Sequence, residues 1–570
     1  MVNVKNLFGM AVMATALVAC SSNDDLTSNG NDNAVKPGEA YASFRINLPT
    51  TSGTRADAEG TPTFENGDKN EYAVKDAALL LFQKNASGDF VFKEVVDLGN
   101  MEPWTSSSTS GITTTAKLTA KITKAEVGEN KGYYALIVLN NNSETAPKIT
   151  YPTVGQKYAD WSQNEANASA NYLKYDNGFF MANAPKYVAG APETLVEIKN
   201  IYASKQQAEN STATTVYVER GLAKVSLASS SAEHVDIKDG NYAGDKVDIT
   251  GWTLDVTNNK TYPVHVTEGL WADTWKETTE PAATNDAKMD RFHDTKLKEF
   301  PRVYWGLDPN YSKNFASVAD CEGEFKMATK GDFKTDEEAK KPQYCLENTF
   351  DIDHMVQGQT TRVLFSAKYT PNGFAANETF YKFGNSPKLW HAADVVAQIK
   401  AKAQEVLGEV DADKVTVTLA AEGNDMTKSG VRLVAAANIT YGTTALRTEQ
   451  VDQINAKLGF KKATSTDAAV GLSTYESGVS YYVARVKHFN ELTPWNPGDK
   501  TYNGNNANWL GRYGVLRNNW YELSVSSVSG PGYPDVPEVK PELPDDENEQ
   551  YINVEVKILS WAKRSQSIYL

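Results

Sequence analysis

The chain is 570 residues long, enough for more than one domain, and carries 72 acidic against 57 basic residues for a formal charge of −15. That balance excludes a nucleic-acid binder, which needs a basic face toward phosphate. Thr, Asn, Ser, Tyr and Val are plentiful and long helical patterns are few, the composition of a mainly β extracellular protein.

The first residues read as a targeting segment. Lys5 supplies the positive end, Leu7 to Ala19 the apolar run, and the run closes on Leu17-Val18-Ala19-Cys20. It spans 13 residues, too few to cross a bilayer. Small residues before a Cys resemble a lipobox. Residues 1–19 are therefore expected to be a lipoprotein signal peptide, and Cys20 the lipidated first residue of the exported chain. The polar Ser21-Ser22-Asn23-Asp24-Asp25 that follows resembles an outer-face sorting tag. Beyond Cys20 only Cys321 and Cys345 remain. They can pair across a loop of about 25 residues or stand as buried free thiols, and their spacing leaves both open.

Leu26 to Glu39 is Asn/Asp/Ser/Gly-rich and reads as a disordered tether. Tyr41 to Leu48 then alternates, with Ala42, Phe44, Ile46 and Leu48 on one face, a strand stopped by Pro49. The polar run Thr50 to Gly60 holds one basic residue, Arg55. Exposed loops of this kind are where proteases cut, although these residues alone describe a plain surface loop.

From Tyr72 onward short apolar or alternating runs follow one another, separated by Gly, Asn and Ser: Ala77–Gln83, Phe90–Asp97, Gly111–Ile122, Gly132–Asn140, Thr194–Tyr202 and Thr215–Leu227. Such spacing predicts a β-sandwich over residues 56–213. A second sandwich is expected over 214–530, its last strand at Trp520–Val528. Two amphipathic helices, after Ser386-Pro387 and over Leu446–Leu458, are expected to pack on it. Residues 531–550 are acidic and Pro-rich and read as a tether. Residues 551–570 hold a strand on which Ile552, Val554, Val556 and Ile558 share a face. Its parity slips after Ile558, with Leu559 and Trp561 on odd positions and Ile568 and Leu570 back on even ones. This predicts a home strand followed by a separate donor segment.

Chemistry is hard to find. The six His are scattered, none at metal-ligand spacing, and Asp351-Ile352-Asp353-His354 reads as a solvated loop. No G-x-S-x-G, phosphate loop or H-E-x-x-H is present. The sequence thus predicts no catalytic residue, no metal and no cofactor.

Five places together resemble the fimbrillins, the type V pilins: the lipobox at Cys20; Leu48-Pro49 followed by Arg55-Ala56; Val218-Glu219-Arg220 with Ala223-Lys224-Val225; Tyr344-Cys345-Leu346-Glu347-Asn348-Thr349; and Tyr513-Gly514-Val515 through Arg517-Asn518 to Gly530, the Pro-rich run and Ile552 to Trp561. The resemblance is greatest to the shaft subunit of the minor fimbrium. It implies two transthyretin-like β-sandwiches, no enzyme activity, and a precursor held as an outer-membrane lipoprotein. An Arg-specific surface protease would cut between Arg55 and Ala56. The strand carrying Phe44, Ile46 and Leu48, expected at a sandwich edge, would then leave. A C-terminal strand of a neighbouring copy would take its place, giving a head-to-tail homopolymer joined by tip and anchor subunits. Two alternatives stand beside it: a tip or anchor subunit, and a monomeric surface lipoprotein binding glycan through Trp271, Trp275 and Trp305.

Overall fold

The computed structural model describes residues 39–49, 71–99, 105–106, 112–141, 147–164, 167–175, 178–188, 191–229, 231–267, 300–310, 315, 317–350, 354–384, 386–408, 410–419, 431–434, 438–462, 470–488, 511–545 and 552–560. The protein is mainly β, as its composition suggests. Among the described residues no helix is long and apolar enough to cross a membrane.

The first sandwich is one continuous path of strands. β1 (Ala40–Pro49), β2 (Ala77–Lys84), β3 (Phe90–Gly99), β4 (Thr105–Ser106), β5 (Ile112–Ile122) and β6 (Gly128–Leu139) join the strands Met181–Asn183 and Thr214–Arg220. The order is β3, β2, β6, Met181–Asn183, Thr214–Arg220, β1, β5, β4, with Val196–Ile201 also on β6. Thr214–Arg220 belongs to both layers. Thr214 to Tyr217 pair with β1, and Val218 to Arg220 pair with Met181–Asn183. β2 reads Ala-Ala-Leu-Leu-Leu-Phe and buries all six. A continuous apolar run suits a strand covered on both faces, whereas β1 alternates.

The change of sheet comes at Gly221, not near residue 213. Val216, Val218 and still Leu222 pack in the first core, while Leu222–Leu227 pairs in a sheet of the second sandwich and enters its core from Ala223. A side chain at Gly221 would overlap the buried ring of Tyr172, so the chain passes this point only as glycine.

The second sandwich has two sheets. One runs Gln343–Leu346, Leu222–Leu227, Asn519–Val528, Ile552–Ser560; the other runs His234–Asp236, Lys246–Asp255, Arg362–Thr370, Val479–Arg485. Between them lie Val225, Trp252, Phe365, Tyr482, Tyr521 and Leu523. The two predicted helices, Ala392–Leu407 and Thr448–Lys457, do not pack on this sandwich. They bury Val395, Ile399, Ala403, Val451 and Ile454 in a separate core with Val415, Ile439 and Leu472. Residues 380–475 thus carry a third packed body, because their own short strands supply the apolar partner that the helix faces require.

The Pro-rich run is not a free leash over 531–545. Tyr533 pairs with Tyr481 through two backbone bonds of 2.8 Å, and Arg362 donates to the Pro537 carbonyl at 2.6 Å. Gln357 N donates to Leu543 O at 2.8 Å, and Thr360 Oγ1 lies 3.0 Å from the buried Asp545 carboxylate. Proline has no N–H to give a sheet, but its carbonyl accepts. The run therefore lies as a strap along the second sandwich, anchored by donors from the protein beneath it.

Candidate assembly elements

β1 sits between two neighbours. It is antiparallel to β5, from Ala40 opposite Ile122 to Leu48 opposite Thr114, and parallel to Thr214–Tyr217 through Phe44 to Asn47. The expected edge strand is thus an interior one. Edge or interior is decided by which distant strands come alongside, and alternation within β1 says nothing about that. Its inward face is as predicted: Phe44 and Ile46 are 0% exposed and Leu48 is 1%. The other face carries Ser43 and Asn47, also buried, and the exposed Arg45. Ser43 Oγ donates to the Ala208 carbonyl at 2.7 Å, from the short helix Lys205–Glu209. Thr115 Oγ1 donates to Asn47 Oδ1 at 2.7 Å, and Tyr41 and Tyr202 exchange backbone bonds of 2.8 Å.

Three of the five family-like stretches converge on one buried polar network at the junction of the sandwiches. Glu219 is its centre. One carboxylate oxygen meets His265 Nδ1 at 2.6 Å; the other accepts from Arg302 Nε at 3.0 Å and Nη2 at 2.5 Å. Burial alone would raise the Glu219 pKa, but Arg302 and His265 outweigh it and hold the carboxyl down to about 2. Arg302 also donates to the Arg517 carbonyl, and Arg517 is paired with Glu347. Arg220 Nη1 donates to Asn518 Oδ1 at 3.1 Å, while burial lowers the Arg220 pKa to about 10. Its Nε donates to the Glu71 carbonyl at 2.7 Å. The Glu71 carboxylate in turn accepts from Lys224 Nζ at 2.6 Å and Tyr344 Oη at 2.7 Å. Asn348 exchanges backbone bonds with Val515, next to Gly514. Gly514 has φ of +125° and sits against the Asn348 carbonyl and the Trp305 ring, with no room for a side chain.

Glu71, His265 and Arg302 were not visible in the sequence. Each is a lone residue far from its partners, and no spacing marks it. Asp308, which accepts from the Thr349 amide at 2.7 Å, is another; burial pushes its carboxyl up to about 7 against the pull of those amide bonds.

The strand Ile552–Ser560 pairs antiparallel with Asn519–Val528, from Ile552 opposite Val528 to Ser560 opposite Asn519. Val554 is buried in the second core. Val556 and Ile558 stand in register with Leu523 and Tyr521. The strand is at the end of its sheet, with one partner among the described residues. Cys20, Arg55, Ala56, Trp561, Ile568 and Leu570 lie outside the described residues, as do Trp271 and Trp275.

Cys321 and Cys345 are both buried free thiols, not a disulfide. Cys321 belongs to a small cluster with Phe325 and Val539 under the strap, and Cys345 to the core of the second sandwich. Burial raises the pKa of both, that of Cys345 to about 12. Trp305 is fully buried, its indole N–H donating to the Phe350 carbonyl at 3.2 Å, so it offers no ring to a glycan. Among the described residues no group of three or more His, Cys, Asp or Glu could hold a metal ion.

Residues 473–567 match the family model described as major fimbrial subunit protein type IV, fimbrillin, C-terminal. The matched stretch takes in Asn519–Val528, the strap and Ile552–Ser560. No curated protein matches the chain. Among solved structures, a candidate cell adhesion protein of Parabacteroides distasonis ATCC 8503 aligns at 11% identity and a TM-score of 0.34, over 92% of this chain and 100% of that one. A fimbrial assembly protein of the same strain aligns at 11% identity and 0.27, over 59% and 86%. A candidate adhesin of Bacteroides ovatus aligns at 10% identity and 0.18, over 38% and 56%.

Proposed function

We propose that the chain is a fimbrillin-family protein, as the match of residues 473–567 supports, and that it is the structural shaft subunit of an adhesive surface fimbrium. It is exported as an outer-membrane lipoprotein on Cys20, cut between Arg55 and Ala56 by an Arg-specific surface protease, and polymerised head to tail by strand exchange. Tip and anchor subunits of the same fimbrium are its other partners.

The observation that carries the reading is β1. It is a ten-residue strand whose apolar side is buried, and residues 50–70 are the stretch through which it joins the rest of the first sandwich at Glu71. Burial of Phe44, Ile46 and Leu48 is worth roughly 5–9 kcal/mol gross, enough to hold the strand while it is covalently attached. A cut within 50–70 leaves it held by contacts alone, and Cys20 with its lipid departs on the same fragment. The vacated slot has two unpaired walls, β5 and Thr214–Tyr217, and a line of apolar pockets, a ready template for strand addition. Ile552–Ser560 is engaged at home by Asn519–Val528, and Ala562 to Leu570 is the segment taken to cross over. Extended, those residues reach about 30 Å, close to the length of β1.

Two variants test this on the full chain: one lacking Lys563–Leu570, and Arg55→Ala. Each is expected to fold normally and to give no high-mass ladder on a denaturing gel run without heating. Wild-type ladders from either variant would sink the scheme.

A further inference from the structure

The first sandwich carries a cleft of about 520 Å³ on the side of β3 and β6, closed at one wall by Val266 and Thr267, which follow the strand Lys246–Asp255 of the second sandwich. Its surface is aromatic. Phe90 and Tyr134 meet edge to face with centroids 4.7 Å apart, and Tyr158 stands against Phe82 at 5.5 Å. Phe90, Tyr134 and Tyr158 are half-buried: their neighbours fix them while part of each remains open. Around these rings stand polar groups with nothing to bind. The Tyr134 hydroxyl, the Glu193 carboxylate and the Thr267 hydroxyl make no hydrogen bond or ion pair among the described residues.

Two features narrow the ligand. The charges balance: Lys157 and Asp89 are paired at 3.0 Å on the rim, and Lys84, 5.5 Å from the Phe90 centroid, and Glu193 add one charge of each sign to the lining. A strongly anionic or cationic ligand finds no complementary field. The edge of β3 is also occupied here. Phe92 N donates to Gln156 O at 2.9 Å and Gly155 N to Phe92 O at 3.0 Å, so an extended peptide cannot add as a strand. The remaining fit is a neutral molecule with an apolar face for the rings and several hydroxyls for the free carboxylate and hydroxyls. We propose that this cleft is a saccharide-binding site for one or two pyranose rings, a size that the volume accepts. The C–H face of a pyranose packs on Tyr134 and Phe90, and its hydroxyls donate to Glu193 and bond with Thr267 and the Tyr134 hydroxyl.

The site does not depend on strand exchange, so it is tested on the full, uncut chain. The probes are lactose, N-acetyllactosamine, maltose and cellobiose, followed by saturation-transfer difference NMR. At least one is expected to receive saturation on its ring protons. Its Kd is expected to rise about tenfold in Tyr134→Ala and in Glu193→Gln. Glu193 is exposed and unpartnered, so its loss of binding cannot come from misfolding. Absence of transfer to all four sugars overturns the proposal, as does transfer unchanged in both variants.

Discussion

Glu219 shows how much a single buried charge can organise. It is 2% exposed, yet His265 and Arg302 keep it ionised down to about pH 2. Its folded pKa lies below the ordinary value of 4.5, so the stability it contributes is fully present above about pH 4.5 and is lost as pH falls toward about 2. Glu219→Gln removes that contribution and leaves the Arg302 guanidinium buried without its counter-charge. We expect it to cost about 3–5 kcal/mol at neutral pH. The melting temperature of the variant should also depend less steeply on pH between about 4.5 and 2 than that of the wild type; equal slopes in differential scanning calorimetry would refute the assignment. The sequence indicated this region without explaining it. Val218-Glu219-Arg220 stood out as a resemblance, but its meaning needs His265 and Arg302, whose approach is purely tertiary.

At the scale of elements, β1 was legible in its face and illegible in its place. Alternation put Phe44, Ile46 and Leu48 inward, and the side-chain period of two makes that inference robust wherever one face is buried. The order of strands in a sheet is set by contacts between residues more than a hundred apart, such as Phe44 with Thr214. Nothing local encodes that order. The Pro-rich run is a similar case. Its composition predicts no regular structure, and the described residues 531–545 form no strand or helix, but donors at Arg362, Gln357 and Thr360 fasten them down. The helices of 392–407 and 448–457 were legible as amphipathic, but a period names a buried face and not the surface that buries it. Phe44→Ala leaves a cavity in the first core and is expected to destabilise the uncut chain by about 3–5 kcal/mol, read as a lower midpoint in urea. An unchanged midpoint would mean that β1 contributes little to holding the first sandwich together.

At the scale of the whole molecule, the network makes the two sandwiches one unit. Arg220 reaches Glu71 and Asn518, and Arg302 reaches Glu219 and the Arg517 carbonyl, so each end of the network is in a different sandwich. Wild-type protein is expected to unfold both sandwiches in a single calorimetric transition. Arg302→Ala, which strands Glu219 without its strongest partner, is expected to split that transition in two. A single peak in the variant would show that apolar contact alone couples them.

The strand Thr214–Arg220 has a mechanical consequence. In a polymer assembled as proposed, the incoming strand would be gripped by Thr214–Tyr217, and the chain runs on without a break through Arg220 and Gly221 into Leu222–Leu227. Lys224 lies beside Trp520 in the next strand, and Asn519 lies opposite Ser560, beyond which an outgoing segment would begin. Tension along the fibre therefore enters and exits within a few residues of the polar junction. It loads these strand pairs along their length, so that many hydrogen bonds resist together. Most of the second sandwich and the body of residues 380–475 hang beside this line of force, where their sequence and shape are free to change without weakening the fibre.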